Sequence, residues 1–77
     1  MKHISTPDDL ARLIVTLRKL SKLSQTDLAI RCGLSRTAIQ SIEGAKETIK
    51  LNTLLKVLTV LNIQLYIDHT LLRDDND

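Results

Sequence analysis

The sequence predicts a mainly α domain of four helices followed by one short β-strand. Apolar residues recur at spacings of three and four in four successive segments, and capping or turn-forming residues mark most of their ends. Near the C-terminus the period changes to two, because Ile63, Leu65 and Ile67 alternate with other residue types. We therefore expect one domain over residues 1–70, with a strand at residues 62–68.

Composition limits the possible functions of this domain. The chain has no Trp or Phe and one Tyr, so its core must be aliphatic and it lacks the aromatic rings on which single-strand and many RNA binders stack bases. Residues 1–67 contain ten Lys and Arg against five acids, a formal charge of +5. That balance suits a polyanion such as duplex DNA, although charge alone is equally compatible with an ordinary solvated surface.

Few residues are available for catalysis or metal binding. Cys32 is the only cysteine, lies in an apolar stretch and is expected to fill the core of a protein in a reducing compartment. His3 and His69 lie near opposite ends and are expected at the surface. The sequence therefore predicts no metal, no cofactor and no enzymatic activity. No apolar run approaches the ~20 residues that span a bilayer, so we expect a cytoplasmic protein without a membrane partner.

The first two helices have clear start signals. Thr6 is the expected N-cap of the first, with Pro7 at its first position, and Ser24 caps a second helix over residues 25–32 that Gly33 ends. In the first helix, which should run to about Leu20, we expect an apolar stripe of Leu10, Leu13, Ile14, Leu17 and Leu20, with Arg12, Arg18, Lys19 and Lys22 elsewhere.

The third helix is short and the fourth spans about three turns. Ser35 caps the third helix, which ends near Glu43 because Gly44 follows and can adopt the left-handed conformation. Lys50 is a poor cap for the fourth helix. Its expected apolar stripe consists of Leu51, Leu54, Leu55, Leu58 and Leu61.

The terminal strand predicts a homodimer. A single strand leaves its backbone groups unpaired, and the same strand of a second copy can pair with it about a two-fold axis. Ile63, Leu65 and Ile67 are then the dimerisation residues. The alternative is a fourth helix that continues to residue 68, which the β-branched residues and Asn62 disfavour. Residues 71–77, an acidic tail, are expected to be disordered.

Residues 23–46 resemble the helix-turn-helix of the Cro/lambda-repressor-like (XRE) family. The positions that carry the resemblance are Gln25, Leu28, Ala29, Gly33, Ser35, Ile39, Ile42 and Glu43. It implies a lambda-repressor-like fold in which the second helix of the motif enters the major groove.

The remaining face of the third helix carries the expected base-reading residues. Arg36, Thr37, Gln40 and Ser41 can all form hydrogen bonds and none is acidic; Arg suits guanine and Gln suits adenine. The alternative is a solvated polar face. The resemblance implies phosphate contacts, which position the motif, by Gln25, Ser35 and Lys46, and Arg18, Lys22 and Lys50 are weaker candidates.

Over nearly the whole chain, the four helices and a strand of the form Leu-Asn-Ile-Gln-Leu-Tyr-Ile-Asp are similar to the HipB-type antitoxins. This resemblance implies a repressor that binds a palindromic operator, autoregulates its operon and binds a HipA-like kinase toxin, whole or split. Two alternatives stay open. One is a stand-alone, phage-type XRE repressor without a toxin, and the other is a protein-interaction module in which DNA binding is secondary.

Overall fold

The computed structural model describes residues 3–71, which form four α-helices: α1 (Pro7–Leu20), α2 (Gln25–Cys32), α3 (Arg36–Glu43) and α4 (Leu51–Val60). These elements confirm the predicted mainly α fold and all four helix positions. The predicted disorder of the acidic tail concerns residues that, apart from Leu71, lie outside the described part of the chain.

Side-chain caps begin the first three helices. The Thr6 and Ser24 side chains accept the backbone N–H of Asp9 and Asp27, whose carboxylates accept the backbone N–H of the two cap residues in return. Both capping boxes stabilise the first turn by satisfying donors that have no partner inside the helix. The fourth helix starts at Lys50 without any side-chain cap, as predicted.

Every helix is followed by a residue in the left-handed conformation. These residues are Lys22, Gly33, Ala45 and Asn62, with φ between 54° and 68°. In each case the N–H of the next residue returns to a carbonyl five residues earlier, for example from Leu34 to Ala29 at 2.9 Å. The prediction for Gly44 was wrong: its φ is −88°, because α3 continues its turn through it and the reversal falls one residue later.

The core is aliphatic and lies between helices that are close in sequence. Helix α2 packs against α3 and α4, and α1 packs against α3. The seven residues that form the buried cluster are Ile14, Leu28, Ala29, Ile39, Ile42, Val57 and Leu58. Ala29 is 3% exposed, as expected for a small residue between closely packed helices.

The predicted apolar stripes were partly wrong. Leu20 and Leu51 are 73% and 68% exposed at helix ends, beyond the reach of the core. Leu55 is 42% exposed, whereas Val57, which the predicted stripe omitted, is fully buried. The buried face of α4 is centred between Val57 and Leu58, and Leu55 lies about 110° away around the helix axis.

Residues 62–68 form neither helix nor strand within the single chain. Helix α4 ends at Val60, so it does not continue through this segment. Ile63 packs against the core, whereas Leu65 and Ile67 are 63% and 78% exposed. Strand pairing in a homodimer therefore stays a prediction. No helix within residues 3–71 has the length and apolar character required to span a membrane.

Candidate nucleic-acid interface

One side of α3 is polar and exposed. Arg36, Thr37 and Gln40 are exposed and Ser41 is half-buried. At 100° per residue, the four side chains fall within an arc of about 140° around the helix. The structure thus places the four residues on one face, and their role in reading bases stays a prediction.

The opposite side of α3 is anchored in the core. Ile39 is 0% and Ile42 is 2% exposed, and both pack into the cluster shared with α2. The Ser35 hydroxyl accepts the Ala38 N–H at 3.1 Å and fixes the start of the helix. Gly33, with φ of 68°, permits the sharp turn from α2 into α3. The polar face is therefore presented from a rigid support.

The predicted phosphate-binding residues lie at helix ends. Gln25 is the first residue of α2 and is half-buried, while Ser35 is the exposed cap of α3. Lys46 is exposed just after α3, as are the weaker candidates Lys22 and Lys50 at other helix ends. Helix starts present free N–H groups, a feature that suits binding of phosphate oxygens.

A buried ion pair lies beneath the ends of α2 and α3 that carry these residues. Arg18 donates from Nε to Glu43 Oε2 at 2.6 Å and from Nη2 to Glu43 Oε1 at 3.0 Å. Its Nη1 also donates to the Leu23 carbonyl at 2.9 Å. The Gln25 amide donates from Nε2 to Glu43 Oε1 at 3.0 Å. The network thus joins α1, the start of α2 and the last residue of α3.

The expectation that Arg18 lies on a solvated face, available for phosphate, was wrong. Its side chain is 11% and that of Glu43 is 7% exposed, and both are committed to each other. The sequence contained two signals of this pairing. Arg18 follows Ile14 by four residues, in the register of the buried stripe. Glu43 stands at a helix C-terminus, where the helix dipole disfavours a carboxylate that lacks a cationic partner.

The ion pair shifts the pKa of both partners toward the charged forms. Burial alone raises the pKa of Glu43, but the hydrogen bonds from Arg18 and Gln25 outweigh burial and bring it below its usual value. The bond with Glu43 raises the pKa of Arg18 despite its burial. At neutral pH Glu43 is therefore a carboxylate, which can only accept hydrogen bonds.

The electrostatics of α3 suit an anionic ligand. Glu43 is the only acid in the helix, and its charge is neutralised by Arg18. The exposed face therefore offers one guanidinium, one amide and hydroxyl groups without a competing carboxylate. Such a face can donate to phosphate oxygens and to acceptors on base edges.

A profile of the helix-turn-helix family matches residues 14–67, which include the whole of α2, α3 and α4. The chain belongs to the XRE-type helix-turn-helix family. Proteins of this family are DNA-binding regulators. A sequence comparison with proteins of curated function found no match.

Several solved structures have the same fold. A chain of a HipA-HipB-O2-O3 complex is 24% identical, with a TM-score of 0.82, and the match covers 91% of this chain and 99% of that one. A chain of a HipB-O4 20mer complex is 23% identical, with a TM-score of 0.81 and the same coverage. A chain of a HipB-O1-O2 complex gives 23% identity, a TM-score of 0.82 and coverage of 90% and 100%. This helix-turn-helix chain therefore has a HipB-like fold.

Proposed function

We propose that this helix-turn-helix protein is a sequence-specific transcriptional repressor that binds a palindromic operator as a homodimer. We further propose that it is the HipB-like antitoxin of a toxin–antitoxin operon, which autoregulates its promoter and binds a HipA-like kinase, whole or split. One observation carries the DNA-binding part. A face of four hydrogen-bonding side chains, three of them exposed and one half-buried, stands on a helix whose other side is anchored in the core.

Base reading is assigned to that face of α3. Arg36 is exposed at the first position of the helix, where it can reach the two acceptors of a guanine edge. Gln40 is one turn further along the same face and can pair with adenine through its amide. Thr37 and Ser41 supply hydroxyl groups, whose base preference is less distinctive. Together they would read a short stretch of one major groove.

Phosphate binding is assigned to groups at helix ends. Gln25, the first residue of α2, combines a side-chain amide with backbone N–H groups of the first turn, and Ser35 is the N-cap of α3. Lys46 adds a positive charge after α3. These contacts carry no sequence information but fix how α3 enters the groove.

Dimerisation is assigned to the segment after α4. Leu65 and Ile67 are mostly exposed in the single chain, whereas Ile63 already packs against the core. Pairing of two such segments would satisfy their backbone groups and cover these side chains. A two-fold axis would then place two copies of α3 about 34 Å apart, one helical turn of DNA.

The proposed partner rests on fold similarity. One similar chain comes from a structure that also contains HipA, which supports a HipA-like kinase as partner of this chain. Co-expression with the product of a neighbouring kinase-like reading frame tests this directly. Copurification of a stoichiometric complex and loss of kinase toxicity support the antitoxin role, whereas DNA binding without such a neighbour indicates a stand-alone repressor.

The DNA-binding part is tested by selecting bound fragments from genomic DNA and footprinting the best one. We expect two protected half-sites about one helical turn apart and an affinity that falls steeply with salt. Arg36→Ala should lose about 1–3 kcal/mol on this operator and relax the preference at one base pair. Arg36→Lys keeps the charge but not the two-pronged geometry, so it should also lose that preference.

Arg12→Ala is the matched control, because it removes the same charge from the exposed side of α1. It should leave the sequence preference unchanged. A footprint on one half-site, a salt dependence near zero, or equal losses by Arg36→Ala on all sequences would contradict the proposal.

A further inference from the structure

We propose that Glu43 is a positioning residue for DNA binding, which holds the Gln25 amide in one orientation against the end of α3. The inference rests on the phosphate contact proposed above for Gln25. Glu43 itself need not touch DNA, because its side chain is 7% exposed and faces Arg18.

The chemistry of the two groups fixes the orientation of the amide. A carboxylate can only accept hydrogen bonds, so Gln25 must present its NH₂ group, not its carbonyl, to Glu43. One hydrogen on Nε2 is used in the 3.0 Å bond to Oε1. The second hydrogen stays available for a phosphate oxygen, and the amide does not have to be ordered when DNA binds.

Arg18 holds the Glu43 carboxylate in place whether or not Gln25 is bound to it. Two donors from one guanidinium hold both carboxylate oxygens, and the third contact, to the Leu23 carbonyl, ties the guanidinium to the loop before α2. Glu43 is therefore fixed before it accepts from Gln25. Because Glu43 is the last residue of α3, its bond to Gln25 also sets the distance between the end of α3 and the start of α2.

The test compares DNA affinities of Glu43→Gln, Gln25→Ala and the double variant at one salt concentration. Glu43→Gln keeps one acceptor oxygen but places an NH₂ group against a donor of Arg18, so it breaks the two-pronged contact that fixes residue 43 beneath Gln25. Each single variant should weaken binding about tenfold, on operator and random duplex alike, as expected for one hydrogen bond to a charged group. The double variant should bind no more weakly than the singles.

Two further variants separate positioning from stability. Glu43→Asp keeps the charge beside Arg18 but withdraws the carboxylate by one carbon–carbon bond, about 1.5 Å, so it carries the test if Glu43→Gln does not fold. Val57→Ala destabilises the core from α4 and should leave the affinity of the folded protein unchanged. The side-chain NH₂ resonance of Gln25 should shift in Glu43→Asp and stay in place in Val57→Ala.

The outcomes distinguish the two proposals. If the wild-type protein binds no duplex, the proposed function itself fails. If the wild type binds but Glu43→Asp binds equally well, or the losses from Glu43→Gln and Gln25→Ala multiply to about a hundredfold, the positioning role is overturned. The positioning role is supported if the double variant loses no more DNA affinity than each single variant and Val57→Ala binds with unchanged affinity.

Discussion

The helix-turn-helix (residues 24–44) and the C-terminal region (residues 50–71) differ in their helix caps and in how far the single chain buries their apolar side chains. In the first, both helices have side-chain caps and each contributes two residues to the buried cluster. In the second, α4 has no side-chain cap and is followed by apolar residues that the single chain leaves exposed. The helix-turn-helix is anchored in the core of one chain, whereas Leu65 and Ile67 of the C-terminal region are exposed in it and would be covered in the proposed homodimer.

The largest effect is expected at the buried ion pair that ties α1 to the helix-turn-helix. Arg18→Met should lower the free energy of unfolding by about 3 kcal/mol or more, because it leaves the Glu43 carboxylate buried without its partner. Urea unfolding measures this loss.

The exposed pair of Arg12 and Asp9 provides the control. Arg12→Ala should cost less than about 1 kcal/mol, since this pair is solvated. Adding Glu43→Leu to Arg18→Met should recover much of the stability, because no unpaired charge then remains. An Arg18→Met loss as small as that of Arg12→Ala would show that the network does not hold the helices together.

The next largest effect concerns the C-terminal region. Ile67→Asp should produce a monomer and weaken operator binding about a hundredfold, because two linked half-site contacts become independent ones. The fold of the single chain should survive, since Ile67 is 78% exposed in it. Sedimentation and operator titration measure the two effects.

Ile30→Asp is the matched control, on an isoleucine that is 72% exposed in α2. It should leave the oligomeric state unchanged. A dimeric Ile67→Asp protein with full operator affinity would show that the terminal segment does not form the dimer interface. A monomeric Ile30→Asp protein would indicate that the interface includes α2.

The difference in helix caps predicts changes of opposite sign. Ser24→Ala should cost about 1 kcal/mol, because Asp27 loses the acceptor of its backbone N–H. Lys50→Ser should gain up to about 1 kcal/mol by supplying the cap that α4 lacks. Thermal unfolding of the two variants beside the wild type measures both. If neither substitution changed the stability, the side-chain cap of α2 would contribute no more than the uncapped start of α4.

The smallest expected effect is at the end of the helix-turn-helix, where Ala45 adopts a φ of 54°. Ala45→Gly should stabilise the protein by about 0.5–1 kcal/mol, because glycine has no Cβ penalty in this conformation. Ala38→Gly, the same substitution inside α3, should destabilise by about 1 kcal/mol. If both variants were destabilised equally, strain at Ala45 would be absent in solution.

Local chemistry made most of the helix-turn-helix predictable from the sequence. The caps at Thr6, Ser24 and Ser35 act within three residues, and the helix-turn-helix resemblance included Leu28, Ile39 and Ile42, all of which are buried. The polar face of α3 followed because residues left over from the buried face must point outward. These features depend on neighbours in the chain, so the sequence alone determined them.

The tertiary structure decided which residues meet across helices. Arg18 and Glu43 are 25 positions apart; local signals suggest that each side chain needs a partner, but only the packing of α1 against α3 brings the two together. The same holds for the exposure of Leu55 and the burial of Val57, which depend on how α4 is rotated about its axis against α2. Sequence periodicity defines an apolar arc, but only packing against a particular neighbour selects which part of that arc leaves water.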